Sequence, residues 1–116
     1  MISKKMEKAL NGQVNAELYS SYLYFSMSAW FEHQGLPGFA HWMRQQAQEE
    51  MFHAVKLFDF INERGGRAIM AAIAKPPTDW KSPAEVINET LKHEQKVTGL
   101  INKLAALAQD ERDHAT

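Results

Sequence analysis

The sequence predicts an all-α domain, and three observations support this prediction. Three long segments repeat apolar residues at helical spacing, and no segment alternates apolar and polar residues as a half-buried strand does. Glycine or proline occurs where these segments end. The chain has 116 residues, of which 45% are hydrophobic and 23% charged. A chain of this length holds one hydrophobic core, so we treat residues 1–116 as a single domain.

The first predicted helix runs from about Ser3 to His33. Its apolar residues recur every three or four positions, which is the spacing of one helix face. We expect that face to consist of Met6, Leu10, Val14, Leu18, Tyr22 and Phe25.

The second predicted helix begins after the segment QGLPGF and ends at Gly65 and Gly66, because glycine commonly terminates helices. The third helix follows the segment KSPAEV, with Ser82 as its N-cap and Pro83 in its first turn. It continues to about Gln109. We expect its apolar face to contain Ile87, Leu91, Ile101 and Leu104.

The two connections predict the topology. Residues 34–38 join the first two helices, and so short a connection makes these helices antiparallel neighbours. Between Gly66 and Lys81, Pro76 and Pro77 exclude a continuous helix. Fully extended, this connection reaches about 50 Å, whereas a helix of about 28 residues is about 42 Å long. It can therefore cross the length of a bundle and place the third helix parallel to the second.

Three amphipathic helices seldom enclose a core by themselves, because each wide apolar face needs a partner. The last residues, DERDHAT, are typical of the opening of another segment. We therefore expect a four-helix bundle with a long crossover between helices two and three, of which this chain carries only the first three helices. The domain is expected to be incomplete at its C-terminus, the fourth helix following in a longer polypeptide or coming from another molecule.

Charge and cysteine content exclude several classes of function. The formal net charge is −1, which gives no reason to expect a nucleic-acid or anionic-membrane partner. There is no cysteine, which excludes disulfides, thiolate metal sites and cysteine nucleophiles. The N-terminal segment MISKKMEKALNGQ lacks the apolar run of a signal peptide, and no segment approaches a membrane span. We expect a cytoplasmic protein.

Three glutamates lie in the predicted buried faces near the middle of the helices. Glu17 follows Leu10 by seven residues, Glu50 and His53 lie three apart on one face, and Glu94 lies on the third helix. Any one of these carboxylates alone is explained by pairing with a nearby lysine, and a lone histidine by a place in the core. Three carboxylates at one depth repel one another unless protons or a multivalent cation lie between them. The pattern predicts a metal site, and carboxylate with imidazole suits iron, manganese or zinc.

Three stretches closely resemble the non-haem bacterial and archaeal ferritins over essentially the whole chain. They are NAELYSSYLYFSMSAWF, GLPGFAHWMRQQAQEEMFHAVKLFDFINERGG, and PPTDWKSP followed by ETLKHEQKVTGLINKLA. The resemblance implies a ferritin-like fold and an iron-storage protein that oxidises Fe(II) with O2 or H2O2 at a di-iron carboxylate centre. It also implies self-association into the family's 24-subunit cage. The family's fourth and fifth helices have no counterpart in this chain.

The resemblance also implies the ligands of the metal centre. Glu17, Glu50 and His53 match the ligands of the family's first iron. Glu50 would bridge to a second iron, which Glu94 also binds.

Two further residues have matches beside the family's centre. Tyr24 matches the tyrosine next to it and is the candidate catalytic residue, as a donor of an electron or a hydrogen bond. Glu49 matches a contributor to a third, accessory iron position. Alternatively, neither residue takes part in the chemistry: Tyr24 is then an aromatic residue of the core, and Glu49 is a solvated carboxylate on the helix surface.

Other interpretations remain open from the sequence. Met51 lies where haem-binding bacterioferritins place an axial methionine, but the surrounding sequence is closer to the non-haem branch, and we expect no haem. A different di-iron oxidase or peroxidase of the same fold is a second interpretation, and a binding or structural module with merely paired carboxylates is a third. The remaining histidines have no second ligand at metal spacing and are expected on the surface: His33, His41, His93 and His114.

Overall fold

A computed structural model describes residues 1–111 and contains three helices: α1 (Lys4–His33), α2 (Pro37–Glu63) and α3 (Pro83–Asp110). No strand occurs in this part of the chain, so the all-α prediction is confirmed. The bundle measures 49 × 21 × 21 Å. None of the helices in residues 1–111 combines the length and apolar character needed to cross a bilayer. Most of the DERDHAT segment, with His114, lies outside the described residues.

Side-chain caps and proline explain where the helices begin. Ser3 Oγ accepts a hydrogen bond from the Met6 N–H at 3.0 Å, and Ser82 Oγ accepts one from the Glu85 N–H at 3.1 Å. Each bond satisfies an N–H group that the first helical turn leaves free. The predicted start of α2 is wrong, because the helix begins at Pro37, inside the segment QGLPGF. Proline suits this first helical position since it has no N–H to satisfy and its φ is already helical.

The order of the helices in space follows from contacts at the two ends of the bundle. Residues 34–36 form the turn that makes α1 and α2 antiparallel. At the same end, the rings of Trp30 and Trp80 lie 6.0 Å apart, and at the other end Ser3 Oγ donates a hydrogen bond to Glu111 Oε1 at 2.7 Å. Therefore α3 runs antiparallel to α1 and parallel to α2, as predicted. In the described chain no Cα atom of α3 comes within 8 Å of one in α2, so α1 is the central helix.

The crossover, residues 64–82, has no regular secondary structure and follows α1 along its length. Near the beginning of α1, Asn11 Nδ2 donates a hydrogen bond to the Arg67 carbonyl at 3.0 Å. Near the other end, Ser26 Oγ donates one to the Pro77 carbonyl at 2.6 Å. These two attachments confirm the predicted long crossover between α2 and α3.

The core consists of two apolar clusters with a polar layer between them. The cluster at the α1–α2 turn contains Leu23, Tyr24, Met27, Trp30, Phe31, Ala40, Met43, Ala47, Trp80 and Val86. The cluster at the other end contains Met6, Leu10, Val14, Ile61 and Ala108. The polar layer contains the buried side chains of Gln13, Glu17, Ser20, Ser21 and Glu50. Burying an ionised carboxylate costs free energy unless something neutralises it. The two buried glutamates of this layer therefore need a neutralising partner.

Part of the predicted apolar faces is wrong. Four residues assigned to these faces are exposed: Tyr22 by 53%, Phe25 by 41%, Leu91 by 59% and Ile101 by 46%. On α1 the reason is geometric, because each step of four residues turns the line by about 40° around the helix. The buried line instead advances by seven residues, through Leu10, Glu17, Tyr24 and Phe31. On α3 the two residues lie outside the surface that packs against α1, whose buried positions are Val86, Thr90, Val97 and Ala108.

Candidate metal centre

The polar layer brings together one carboxylate from α1 and one from α2. Glu17 is 2% exposed and Glu50 is 6% exposed. Both helices supply these residues from their facing surfaces, where serines keep the backbones close: Ser21 Oγ, for example, donates a hydrogen bond to the Ala47 carbonyl at 2.8 Å. Two side chains that prefer to be ionised are thus enclosed at mid-length of a helical hairpin.

His53 completes a three-residue group. It follows Glu50 by three positions on α2, and its Nδ1 atom lies 3.6 Å from Glu50 Oε2 and 4.0 Å from Glu17 Oε2. One potential ligand atom from each of the three residues lies within 4.8 Å of the others. The imidazole is 52% exposed, whereas the two carboxylates are buried. The group is therefore open on the side of His53.

The electrostatics of the group are unfavourable without a cation. Burial raises the pKa of Glu50 to about 9, and the neighbouring carboxylates of Glu17, Glu94 and Glu49 add to the shift. Gln13 Nε2 donates a hydrogen bond to Glu17 Oε1 at 3.0 Å, which orients that carboxylate. Without a cation, neutral Glu50 is thus favoured over the anion at pH 7.

Two oxygen atoms show that the group fits a metal ion. Glu17 Oε2 and Glu50 Oε2 are buried, and neither has a hydrogen-bond partner among the described residues. Buried polar atoms in native proteins nearly always have a partner, and each one left without costs about 1–3 kcal/mol. Two carboxylate oxygens and an imidazole nitrogen are the donors that divalent iron, manganese and zinc accept. The residues present therefore fit a divalent cation between α1 and α2.

Glu94 lies outside the three-residue group and contacts Tyr24 instead. Tyr24 is fully buried and donates a short hydrogen bond from its hydroxyl to Glu94 Oε1. Burial, followed by this bond to Glu94, raises the pKa of Tyr24, so the phenol keeps its proton. Glu50 and Glu17 also contribute to that shift, which places Tyr24 and Glu94 in the electrostatic field of the centre.

Glu49 is exposed on α2 and does not belong to the three-residue group. Its charge is felt at Glu50, as the pKa of that residue shows. The roles predicted for Glu49, Glu94 and Tyr24 stay predictions.

Sequence analysis did not identify two polar residues that lie near the centre. Gln13 occupies a buried α1 position, and His93 is half-buried rather than on the surface as predicted, whereas His33 and His41 are exposed as predicted. His93 Nε2 lies 2.7 Å from Ser20 Oγ, and burial lowers the pKa of the imidazole. The signal in the sequence was the position of His93 on the buried line of α3, three residues after Thr90.

The chain matches known proteins over most of its length. A family profile described as "Ferritin-like domain" matches residues 7–116. A bacterial non-heme ferritin of Bacteroides fragilis is 47% identical over 116 residues, which cover 100% of this chain and 73% of that protein. An open pore ferritin from the archaeon Archaeoglobus fulgidus is 50% identical with a TM-score of 0.97, covering 99% of this chain and 71% of that chain.

A third match has the same arrangement of helices. The ferritin of Chlorobium tepidum is 42% identical with a TM-score of 0.96, again covering 99% of this chain and 71% of that chain. The resemblance read from the sequence is thereby confirmed. The chain belongs to the ferritin family, among the non-haem bacterial and archaeal ferritins.

Proposed function

We propose that this protein is an iron-storage ferritin and that its carboxylate–imidazole group oxidises Fe(II). One observation carries the proposal: Glu17, Glu50 and His53 converge in a polar layer with two buried carboxylate oxygens that have no hydrogen-bond partner within residues 1–111. A proton on Glu50, shared with Glu17, neutralises only one of the two carboxyl groups, whereas a divalent cation lets both be ionised and binds both oxygens. The relatives, which are named ferritins, support iron as the cation.

The three residues have complementary roles toward the first Fe(II). The carboxylates of Glu17 and Glu50 supply negative charge, which stabilises Fe(III) more than Fe(II) and so favours oxidation. His53 supplies a neutral nitrogen ligand from the open side of the group. Glu50 has a second oxygen that can reach a second Fe(II), for which Glu94 on α3 is the other ligand.

Two iron atoms match the electron demand of the oxidant. Each Fe(II) gives one electron, and two electrons with two protons convert one O2 to H2O2, or one H2O2 to two molecules of water. Tyr24, hydrogen-bonded to Glu94, is the candidate donor of a further electron or of a hydrogen bond. Glu49, exposed one residue before Glu50, is the candidate ligand of an accessory iron.

The remaining parts of the proposal concern storage and assembly. We propose that the oxidised iron is stored as a mineral inside a 24-subunit homo-oligomer in the cytoplasm. Large apolar side chains that the described chain leaves exposed on α2 and α3 support association, because a soluble monomer seldom carries so many: Phe52, Val55, Phe58, Leu91 and Ile101. We propose that haem has no part in the function.

Anaerobic titration with Fe(II) or Zn(II) tests the centre. We expect one tight site per chain, with a second site filling more weakly because it has only Glu94 and the shared Glu50. Glu50→Ala should abolish both sites, whereas Glu94→Ala should spare the first. Glu63→Ala, which removes an exposed carboxylate from the same helix, is the matched control. Tight binding that survives in Glu50→Ala would overturn the metal centre.

Oxygen uptake tests the proposed activity. Storage requires O2 consumption that continues over many iron equivalents per chain without an organic co-substrate. Uptake that depends on an organic co-substrate would instead identify an oxidase of the same fold, and a chain that binds no metal and consumes no oxygen would be a binding module.

A further inference from the structure

His93 on α3 contacts two tyrosines of α1. Its ring centroid is 5.8 Å from that of Tyr24, with the planes at 87°, and 5.8 Å from that of Tyr19, with the planes at 57°. Both distances are typical of contacting aromatic rings; the Tyr24 contact is edge-to-face, whereas the Tyr19 contact is tilted. His93 therefore contacts the ring of the same tyrosine whose hydroxyl contacts Glu94.

The adjacency of His93 and Glu94 in α3 gives Tyr24 two points of contact. Consecutive helical residues diverge by about 100° around the axis, so their side chains reach two different parts of a neighbouring group. Glu94 accepts the hydrogen bond of the phenol, and His93 packs edge-on against the ring. The direction in which the Tyr24 hydroxyl points is therefore fixed by both residues together.

A buried serine fixes the orientation of the His93 ring. Ser20 is fully buried, and its Oγ lies 2.9 Å from the Ala16 carbonyl and 2.7 Å from His93 Nε2. The hydroxyl has one proton, and without it the close approach of the serine and carbonyl oxygens would be repulsive. The serine therefore donates to Ala16, and both contacts are satisfied only when His93 Nε2 carries a hydrogen and donates it to Ser20 Oγ.

We propose that His93 is a positioning residue for Tyr24: Ser20 holds the imidazole as the Nε2–H form, and the imidazole holds the phenol of Tyr24 on Glu94. Its effect on iron oxidation rests on the proposed function, whereas its effect on the Tyr24 ring does not. The contacts run in order from the Ala16 carbonyl through Ser20, His93 and Tyr24 to Glu94.

A cavity beside His93 that is partly open to solvent makes a rescue experiment possible. It has a volume of about 350 Å³ and lies among α1, α3 and the crossover, with His93, Tyr19, Asn15, Lys96, Leu100 and Ala74 in its wall. Benzene binds in a protein cavity of about 150 Å³, so this volume admits free imidazole. Replacing His93 by alanine joins the space left by the imidazole to this cavity.

Nuclear magnetic resonance on the metal-free chain tests the positioning directly. The chain has three tyrosines, so labelling their Cζ atoms with ¹³C gives three signals, which Tyr19→Phe and Tyr22→Phe assign. We expect His93→Ala and Ser20→Ala to shift or broaden the Tyr24 signal, while that of the exposed Tyr22 stays unchanged. Adding imidazole should restore the Tyr24 signal in His93→Ala, and adding it to Ser20→Ala should not. His41→Ala, which removes an exposed histidine of α2, should leave all three signals in place.

Three outcomes of the resonance experiments would overturn the proposal. The first is a Tyr24 signal that is unchanged in both variants while circular dichroism shows them folded. The second is a shift in His93→Ala that imidazole does not reverse. The third is a ¹⁵N spectrum of the unmodified chain in which Nδ1 of His93, and not Nε2, carries the hydrogen; this measurement needs no variant and so decides the case even if His93→Ala does not fold.

Iron oxidation supplies a second readout. We expect His93→Ala to slow oxidation in a single turnover roughly 10-fold, the lower end of the range for residues behind the ligands of a metal centre, with His41→Ala unaffected. If the unmodified chain oxidises no Fe(II), the proposed function fails while the resonance experiment still decides the role of His93. If the unmodified chain oxidises Fe(II) and His93→Ala does so at the same rate, the positioning of Tyr24 by His93 has no consequence for catalysis and the proposal fails.

Discussion

Glu50→Gln replaces a buried carboxyl group by a neutral amide of the same shape and tests how the metal-free centre is held together. Burial raises the pKa of Glu50 from 4.5 to about 9. Between these two values the unfolded chain releases a proton that the folded chain retains, so folding loses stability as pH rises. Within this range each pH unit lowers the free energy of unfolding by about 1.4 kcal/mol. From pH 5 to pH 8 the unmodified chain therefore loses up to about 4 kcal/mol of stability, and the variant does not.

The assay is urea denaturation of both chains with a metal chelator at several values from pH 5 to pH 8. We expect the stability of Glu50→Gln relative to the unmodified chain to increase steadily over this interval. Glu63→Gln, with an exposed carboxyl on the same helix, should show no such trend. A difference between Glu50→Gln and the unmodified chain that stays constant with pH would refute the reasoning, because Glu50 would then be ionised in the folded protein.

Adding Zn(II) should shift the balance of stability toward the unmodified chain. A cation that binds only the folded state at 100 times its dissociation constant stabilises the protein by about 2.7 kcal/mol. The unmodified chain should gain this amount at pH 8, whereas Glu50→Gln, which lacks one of the two buried carboxylates, should gain much less. Equal stabilisation of both chains would show that Zn(II) binds elsewhere.

Further predictions concern substitutions at four positions. Gly12→Ala should stabilise the protein by about 0.5–1 kcal/mol in urea denaturation, because a Cβ at this position of α1 meets no described atom within 4 Å. Gly35→Ala should destabilise the protein by about 1–2 kcal/mol in the same assay, because the φ of Gly35 is 73°, a conformation that strains residues with a Cβ. Ser82→Ala should cost about 1 kcal/mol through loss of the α3 cap, and Ser82→Asp should retain most of that stability. Tyr24→Phe should leave the tight metal site unchanged in titration but slow Fe(II) oxidation at least about 10-fold; an unchanged rate would show that the hydroxyl contact with Glu94 has no catalytic role.

The sequence was sufficient for the helices and for the three-residue group because both depend on short-range spacing. Ser82 and Pro83 mark the start of α3 by local chemistry, and Glu50 and His53 share a face because they are three residues apart. Glu17 was placed correctly because it lies on the seven-residue line that the helix buries. The exposed face of α1 was harder to predict. A series of residues spaced four apart, such as the one that reaches Tyr22, moves gradually around the helix, and the neighbouring elements determine which part of that series is buried.

Contacts between α1 and α3 could not be predicted from spacing. The hydrogen bond between Tyr24 and Glu94 joins residues 70 positions apart, and its existence depends on how far α3 is shifted along α1. That shift is fixed by the crossover and by contacts such as the one between Trp30 and Trp80. The same dependence hid His93, because its position three residues after Thr90 leads to half-burial only where α1 approaches that side of α3.

The three-residue turn between α1 and α2 has a consequence for the order of folding. Contacts within this hairpin are formed between residues that approach one another by closing short loops, whereas α3 must first close the 19 residues of the crossover, 64–82. We therefore expect the hairpin to form early and α3 to dock afterwards. Glu17, Glu50 and His53 all belong to the hairpin, so a metal ion can bind before α3 arrives and stabilise the early intermediate. Metal should then raise the population of the hairpin intermediate and leave the docking rate of α3 unchanged.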